Sequence, residues 1–578
     1  MKTCDLVMKG GIASGIVYPE AVVELSKEFA FQGIGGTSAG AIAAAATAAA
    51  EYRRREPAGG GSDLEPLLEI SRYLAGRGNL KRLFQPAPGI LSWAFNGLLL
   101  SQRLKLPRWL FLLMGAGYLL GMSYLAQHYG WLCPLTVLAV VGLPLGLGYL
   151  LVNQLLSKFR ANRYGFCKGC GSPEQFTPWL YSMTQKLAGL GESEPLTFGH
   201  LRNRGIRFRL VTTNLNHGRP YQFPNSRATL YYRSEEMLEY FPKAVVDFMD
   251  KDNPVTPHGF RKLPVKDRLP ILVPTRISSS FPGLFCAVPL YAEPFDRTLD
   301  GEMRPAGEGT PIERDELQPE LCLFADGGIC SNLPLHFFDS PLPEQPTFAI
   351  NLDSFAPGFK PSLDESKNVR RAETNNQFSS YECWNRFSNL GGWLYSIFNA
   401  AQNWRDNGLV RKPGYRDRVV HITLAGDEGG LNLQMAPELI KRLQERGKAA
   451  GQALLKGFGA SPTVKTTWDN HRWIRYRNTM KLMAEMLPKV RERLADPGYS
   501  GLFSVDGGQP PSYRFHYDED NNPVPAEVSA RRVAALKEST EKFCLLLKDW
   551  QPAEAFSISP PHPEIQLGIN PELETEPK

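Results

Sequence analysis

The chain has 578 residues and a formal net charge of +6 at pH 7, a mild excess that excludes a nucleic-acid-binding polycation. Apolar residues make up 43% and charged residues 21%, which excludes a wholly disordered chain. Nine cysteines, an odd number scattered along the chain, argue against a disulfide framework and favour a reducing compartment. Asp5 stands where a secretory signal peptide would need its apolar region, so we expect no export by that route.

The first predicted element is a short strand that runs into a glycine-rich loop. Residues 5–8 are mostly apolar, and they are followed by Lys9-Gly10-Gly11-Ile12-Ala13-Ser14-Gly15 and a helical pattern over residues 17–29. Backbone N–H groups of glycines can approach a ligand closely, and the start of a helix favours a negative charge. The loop has neither the Gly-Lys-Ser/Thr ending of a P-loop nor the G-x-G-x-x-G spacing of a dinucleotide site. It therefore indicates an anion-binding loop of another kind.

The second motif is a G-x-S-x-G sequence between a strand and a helix. The apolar residues 29–35 lead into Gly36-Thr37-Ser38-Ala39-Gly40, and the alanine-rich residues 41–50 follow. Small neighbours allow a tight turn in which the serine hydroxyl projects and the next N–H points into the same space. Ser38 is thus a candidate nucleophile, with the Ala39 N–H as a candidate donor. The alternative is that Ser38 only caps the helix.

The next unusual stretch, residues 109–152, contains no Asp, Glu, Lys or Arg. It divides into two apolar segments, 109–126 and 131–152, each long enough to cross a hydrocarbon layer of about 30 Å. Basic residues flank both ends, which for an even number of spans places those ends in the cytoplasm. We therefore expect a two-pass transmembrane hairpin with the catalytic domain on the cytoplasmic side. A buried helical hairpin inside the protein is the alternative.

After this insertion the pattern returns to short strands separated by helical runs, which predicts an α/β fold with a sheet covered on both faces. The expected strands are residues 206–213, 321–325, 347–352 and 419–424, and the expected exposed helix is residues 436–451. The predicted organisation is a catalytic domain of residues 1–56 and 176–460, an insertion of residues 57–175, a helical C-terminal region of residues 461–550 and a tail without a core, residues 551–578.

A serine hydroxyl needs a neighbouring base to become a nucleophile. In a soluble Ser-His-Asp esterase the base would be His421 or His336, but only two strands are predicted before Ser38, too few for an ordinary α/β-hydrolase fold. The alternative base is Asp326, which ends the apolar run 321–325 and precedes two glycines. A carboxylate that is partly removed from water has a raised pKa and accepts protons better. A second Asp-Gly-Gly sequence, residues 506–508, has no strand before it and is interpreted as a turn.

Together these blocks resemble the patatin-like phospholipases, in their order and in their contexts. The likeness covers residues 5–50 and about 206–355, and it includes the block at residues 276–289. It implies a three-layer fold with a central, mainly parallel sheet and a Ser–Asp dyad without a histidine. The site residues that it implies are Ser38 as nucleophile, Asp326 as general base, the N–H groups of Gly10, Gly11 and Ile12 as oxyanion donors beside Ala39, and Gly36, Gly40, Gly327 and Gly328 as supports of the two turns.

The resemblance further implies hydrolysis of fatty acyl esters of phospholipids through an acyl-enzyme. The expected partners are the phospholipid substrate and the bilayer, without nucleic acid, and a regulatory protein is left open. No metal or cofactor is expected, and the lone Cys167-x-x-Cys170 pair lacks two further zinc ligands. A lysophospholipase, a neutral-lipid esterase or an acyltransferase would use the same dyad, and a non-catalytic membrane scaffold is an alternative of another class.

Overall fold

The computed structural model describes most of the chain, with defined gaps. The described residues are 1–104 apart from 12, 58–62 and 77, a few positions between 117 and 128, and 143–548 apart from 225–229, 293–318, 356–357, 376–389, 431 and 501–524. The predicted oxyanion donor Ile12, the second Asp-Gly-Gly sequence and the tail at residues 551–578 lie outside them.

The strands form one large sheet and one small one. Their bounds are Lys2–Met8 (β1), Phe29–Gly36 (β2), Gly165–Cys167 (β3), Arg207–Asn214 (β4), Arg219–Phe223 (β5), Leu230–Tyr232 (β6), Arg261–Lys262 (β7), Gly283–Phe285 (β8), Val288–Ala292 (β9), Glu320–Asp326 (β10), Thr347–Ser354 (β11), Val369–Arg370 (β12) and Val419–Leu424 (β13). The large sheet has the order β12-β13-β11-β1-β2-β4-β10-β9-β6-β7, with β5 paired to β4, and β3 pairs with β8. All four of the strands expected after the insertion are confirmed, as β4, β10, β11 and β13.

The large sheet is mixed, so the prediction of a mainly parallel sheet is wrong. The strands β13, β11, β1, β2 and β4 pair parallel with one another, and β12 pairs antiparallel with β13 at the edge. From β4 outward, β10, β9, β6 and β7 each pair antiparallel. The order therefore combines a parallel half with an antiparallel half, and the strand that carries Asp326 is the first of the antiparallel ones.

The α-helices lie between and after these strands. Their bounds are Tyr18–Ser26 (α1), Ala39–Arg54 (α2), Leu68–Ala75 (α3), Asn79–Leu83 (α4), Ile90–Leu104 (α5), Leu143–Ala161 (α6), Phe176–Ala188 (α7), Phe198–Asn203 (α8), Ser234–Met237 (α9), Lys243–Asp250 (α10), Leu272–Ser278 (α11), Leu390–Val410 (α12), Pro437–Phe458 (α13), Trp468–Ala495 (α14), Pro497–Ser500 (α15) and Ala526–Lys548 (α16). The helix expected at residues 436–451 is the first part of α13, but one side of it is buried, with Arg446 fully enclosed. The helices α14–α16 lie in the predicted C-terminal region.

Both faces of the sheet are covered, because alternate residues of β1 enter different apolar clusters. Leu6 and Met8 belong to the main core, where α1 and α2 pack. Val7 points to the opposite face and joins a smaller cluster with Phe337 and Val410, the last residue of α12. Since side chains alternate along a strand, this division places the end of α12 and the segment around Phe337 on the second face.

The described residues contradict the predicted transmembrane hairpin. The predicted two-pass localisation with a cytoplasmic catalytic domain is therefore wrong as well. No helix in the described ranges is both long enough and apolar enough to cross a membrane. Most of residues 109–126 and 131–152 lies outside the description. The described residues 143–152 of α6 belong to the second predicted span, and Lys158 and Arg160 follow in the same helix.

Candidate active site

Ser38 lies in a strained turn between β2 and α2. Its backbone has φ 55° and ψ −128°, a region that residues with a side chain rarely adopt and that costs about 1–3 kcal/mol. A Cβ atom at Gly36 would lie 2.5 Å from the Gly40 carbonyl oxygen, and one at Gly40 would lie 2.1 Å from the Met8 carbonyl oxygen. Only glycine fits at either position. The Ser38 side chain makes no capping hydrogen bond, so the interpretation as a helix cap is wrong.

The backbone of the turn is held from both sides by α11 and the serines after it. The Ser38 N–H donates to the carbonyl oxygen of Ser278 at 3.1 Å. The Ser279 hydroxyl in turn donates to the Ser38 carbonyl oxygen at 3.3 Å. These bonds satisfy the polar groups of a buried turn and leave the Ser38 hydroxyl as the group that points into the site.

Strand register brings Asp326 to the level of this turn. Gly36 of β2 pairs with Leu210 of β4, and Asp326 of β10 pairs with Thr212 of the same strand. The two partners on β4 are only two residues apart. Although β10 runs antiparallel to β4, it therefore ends at nearly the same level as β2. The carboxylate that ends β10 therefore meets the hydroxyl that follows β2, across a single intervening strand.

Asp326 is a buried carboxylate with an incomplete set of hydrogen bonds. Its side chain is 2% exposed, and its Oδ1 atom accepts the Gly328 N–H at 2.7 Å. Burial raises the pKa of Asp326 to about 7, against a lowering by the Ser38 hydroxyl and by the Gly328 N–H. Its Oδ2 atom has no hydrogen bond of regular geometry to the described residues, although the Ser38 hydroxyl is close enough to act on the pKa. We interpret this as a hydroxyl and a carboxylate in proximity, with the hydrogen bond between them not fully aligned.

The glycine loop lies directly against Ser38, but its donors differ from the expected set. The Gly10 N–H already donates to the Asn332 carbonyl oxygen at 3.0 Å, so the prediction that Gly10 is an oxyanion donor is wrong for this conformation. The Gly11 N–H has no acceptor among the described residues. The Ala39 N–H is one of the unpaired donors in the first turn of α2. Of the predicted donors that the structure describes, Gly11 and Ala39 are therefore the ones whose N–H groups remain available to an oxyanion.

A Gly10→Ala substitution tests the close approach of this loop. The added Cβ atom would lie 2.2 Å from Asn332 Oδ1 and 2.9 Å from Ser38 Cβ, so the loop must move. For the ester hydrolysis that the resemblance implies, we expect the rate to fall by about 10²-fold or more, as for loss of an oxyanion donor. The matched control is Gly191→Ala, where the added atom meets nothing within 4 Å. Equal rates for the two variants would contradict this placement of the loop.

Sequence reasoning missed Asp406, which holds the loop after Asp326. Its Oδ2 atom accepts the N–H groups of Asn332 at 2.8 Å and Leu333 at 2.7 Å, and burial raises its pKa. Asn403, one turn earlier on α12, accepts from the Asn332 side chain at 3.3 Å. No pattern near Asp406 in the sequence indicates that it holds this loop, because Asn332 and Leu333 lie more than seventy residues earlier in the chain.

The histidines considered as alternative bases do not accompany Ser38. His421 is fully buried on β13, and its Nδ1 atom lies 2.6 Å from the carboxylate of Asp353. Two strands, β11 and β1, separate β13 from β2, which corresponds to about 14 Å at the usual spacing. The His336 ring packs against Phe337. The soluble Ser-His-Asp interpretation is not supported by this geometry.

No metal centre is found in the described part of the chain. Among those residues, no group of three or more His, Cys, Asp or Glu side chains could hold a metal ion. Cys167 belongs to β3, and Cys170 follows it in a partly buried position with a free thiol.

The fold and the site define a mixed α/β protein with a serine in a strained strand-to-helix turn beside a buried aspartate. No protein-family model matches the sequence. The chain is 33% identical over 596 residues to the RpoH suppressor of Rhizobium meliloti (strain 1021), a match that covers 89% of this chain and 92% of that protein. The chain belongs to the family of that RpoH suppressor. Among solved structures it is similar to VipD from Legionella pneumophila, at 14% identity and a TM-score of 0.27, over 96% of this chain and 91% of that one.

Proposed function

We propose that the protein is a serine hydrolase that cleaves fatty acyl esters, with Ser38 as nucleophile and Asp326 as general base. The observation that carries this proposal is the buried Asp326 carboxylate, with a pKa raised to about 7, beside a serine in a strained turn. A base works best when its pKa lies near the working pH, so it can both take and return a proton. A buried, incompletely bonded carboxylate would be costly in a protein that made no use of it.

The proposed reaction has two halves, after which Ser38 and Asp326 are back in their starting protonation states. In the first half Asp326 takes the proton of Ser38 as the hydroxyl oxygen attacks the ester carbonyl carbon. The oxyanion is held by the N–H groups of Gly11 and Ala39, near the positive end of α2. When the tetrahedral intermediate collapses, the leaving alcohol takes the proton from Asp326. In the second half water gives a proton to Asp326 and attacks the acyl group, and Ser38 recovers its proton as the fatty acid leaves.

The lipid nature of the substrate rests on the resemblance to patatin-like phospholipases and on the apolar surroundings of the turn. A phospholipid is the proposed substrate, and lysophospholipids and neutral lipids are the related candidates. The deciding experiment is analysis of products from vesicles of phosphatidylcholine and phosphatidylglycerol, from lysophosphatidylcholine and from a triacylglycerol emulsion. Fatty acid released from the vesicles by the wild-type protein, and not by Ser38→Ala, supports the proposal. Release from none of these substrates would contradict it.

The pH dependence of hydrolysis tests the role of Asp326 separately. Only the ionised carboxylate can accept the Ser38 proton, and burial raises the pKa of Asp326 to about 7. We therefore expect kcat/KM to rise tenfold per pH unit below about pH 7 and to level off above it. An initial-rate profile between pH 5 and pH 9 on a neutral ester measures this. An activity that is flat down to pH 5 would show that a group with an ordinary carboxylate pKa, or none, is the base.

A further inference from the structure

An apolar pocket lies between α1 and α2, and it reaches Ala39, the residue after Ser38. One wall is a stripe of α2 at helical spacing, formed by Ala39, Ile42, Ala43, Ala46 and Thr47. Tyr18 and Val22 of α1 contribute the facing wall, and Phe84, Phe176 and Trp179 complete the lining with aromatic rings. Among the described residues that line it, none carries a charge.

The position of this pocket connects it to the chemistry. Ala39 lines the pocket and also supplies one of the two available oxyanion N–H groups. Gly15, at the end of the glycine loop, lines the same end of the pocket. A Cβ atom at Gly15 would lie 3.0 Å from Ala39 Cβ and 3.8 Å from the Tyr18 ring. Gly15 therefore packs directly against Ala39 at this end of the pocket, where a side chain would be crowded.

The dimensions fit an unbranched hydrocarbon chain better than a compact polar ligand. The stripe on α2 extends from Ala39 to Thr47, a rise of about 12 Å along the helix, which is the extended length of a chain of roughly nine carbons. A polar ligand would find few partners here, because Tyr18 donates its hydroxyl proton to the Lys9 carbonyl oxygen and Thr47 donates to the Ala43 carbonyl oxygen. Apolar contact is what the lining offers.

We propose that this pocket, which we call the α1–α2 pocket, binds the acyl chain of the substrate and selects chains of medium length. This inference rests on the proposed esterase function and deepens it. The ester carbonyl would lie at Ser38, between the N–H groups of Gly11 and Ala39. The chain would then pass Gly15 and follow the α2 stripe, so a longer chain gains apolar contact only until the pocket is full.

The test fills the pocket one helical turn from its catalytic end. In Ala43→Phe a ring replaces a methyl group on a partly buried wall position that has room beside it. We compare kcat/KM for p-nitrophenyl decanoate with kcat/KM for p-nitrophenyl acetate. The decanoate-to-acetate ratio should fall at least about tenfold, because each methylene group that a pocket no longer holds costs about tenfold or more. The matched control is Ala534→Phe on α16, an exposed site outside the pocket, for which the ratio should stay as in the wild type.

A binding measurement separates this inference from the proposed function. Calorimetric titration of decanoate into Ser38→Ala should show binding, and the added Ala43→Phe change should weaken it by about tenfold or more. Decanoate binding without any ester hydrolysis by the wild type would uphold the pocket and overturn the esterase proposal. Hydrolysis with an unchanged decanoate-to-acetate ratio in Ala43→Phe, or decanoate binding that this change does not weaken, would overturn the pocket and leave the esterase proposal in place.

Discussion

Replacing Ser38 by alanine is expected to lower kcat for ester hydrolysis by about 10⁴-fold or more, with the fold preserved. The hydroxyl is the only atom removed, and no described hydrogen bond of the turn depends on it, because Ser278 and Ser279 hold the backbone. Alanine meets the same backbone strain as serine at φ 55°, so the stability of the turn should change little. The measurement is single-turnover and steady-state hydrolysis of a p-nitrophenyl ester, with the melting temperature recorded alongside.

The control for this change is Ser193→Ala, at an exposed loop position, which should hydrolyse as fast as the wild type. A Ser38→Ala protein that keeps wild-type turnover would show that the nucleophile lies elsewhere. If Ser38→Ala lost all hydrolysis but kept the full cellular function of the protein, the non-catalytic scaffold would become the better interpretation of that function.

Replacing Asp326 by asparagine is expected to lower activity by about 10³-fold or more and to stabilise the protein above pH 7. The activity falls because an amide cannot take the Ser38 proton. The stability rises because the pKa of Asp326 is about 7 in the fold and about 3.9 in the unfolded chain. The folded protein therefore holds a proton that the unfolded chain has lost, and it is destabilised as the pH rises from about 4 to about 7. Asparagine removes this penalty, which amounts to roughly 2–4 kcal/mol at pH 8.

The measurement is the free energy of unfolding at pH 5 and at pH 8 for the wild type, Asp326→Asn and the exposed control Asp252→Asn. The gain of Asp326→Asn over the wild type should be larger at pH 8 than at pH 5, and the control should show no such difference. An Asp326→Asn protein that is less stable than the wild type at pH 8 would mean that the carboxylate is paired in the fold, contrary to the burial described above.

Local sequence patterns predicted the parts of the site that depend on neighbouring residues. The strained turn at Ser38 requires glycine on either side because of backbone atoms in β1 and in the turn itself, and this requirement is visible as G-x-S-x-G. Asp326 could be placed at a strand end because a short apolar run precedes it and two glycines follow it. Neither prediction needed knowledge of which strands are neighbours.

Long-range pairing explains what the sequence did not predict. The Gly10 N–H is occupied by the carbonyl oxygen of Asn332, and no pattern near Gly10 indicates that contact. The antiparallel direction of β10 follows from its pairing with β4 and β9, which is set by the whole sheet. The predicted hairpin is contradicted for another reason: among the described residues no helix is both long and apolar enough to cross a membrane, and α6 continues into charged residues.

The burial of Asp326 has a consequence for how the proposed acyl-enzyme would be discharged. Thr213 of β4 donates to the Asp326 backbone carbonyl oxygen and the Gly328 N–H donates to Oδ1, so Oδ2 is the carboxylate atom that has no hydrogen bond to the described residues. In the proposed mechanism water and any alcohol present would therefore be activated by the same carboxylate atom, and they would compete for it. The partition between hydrolysis and acyl transfer would then be governed by the composition of the medium, without a change in any side chain.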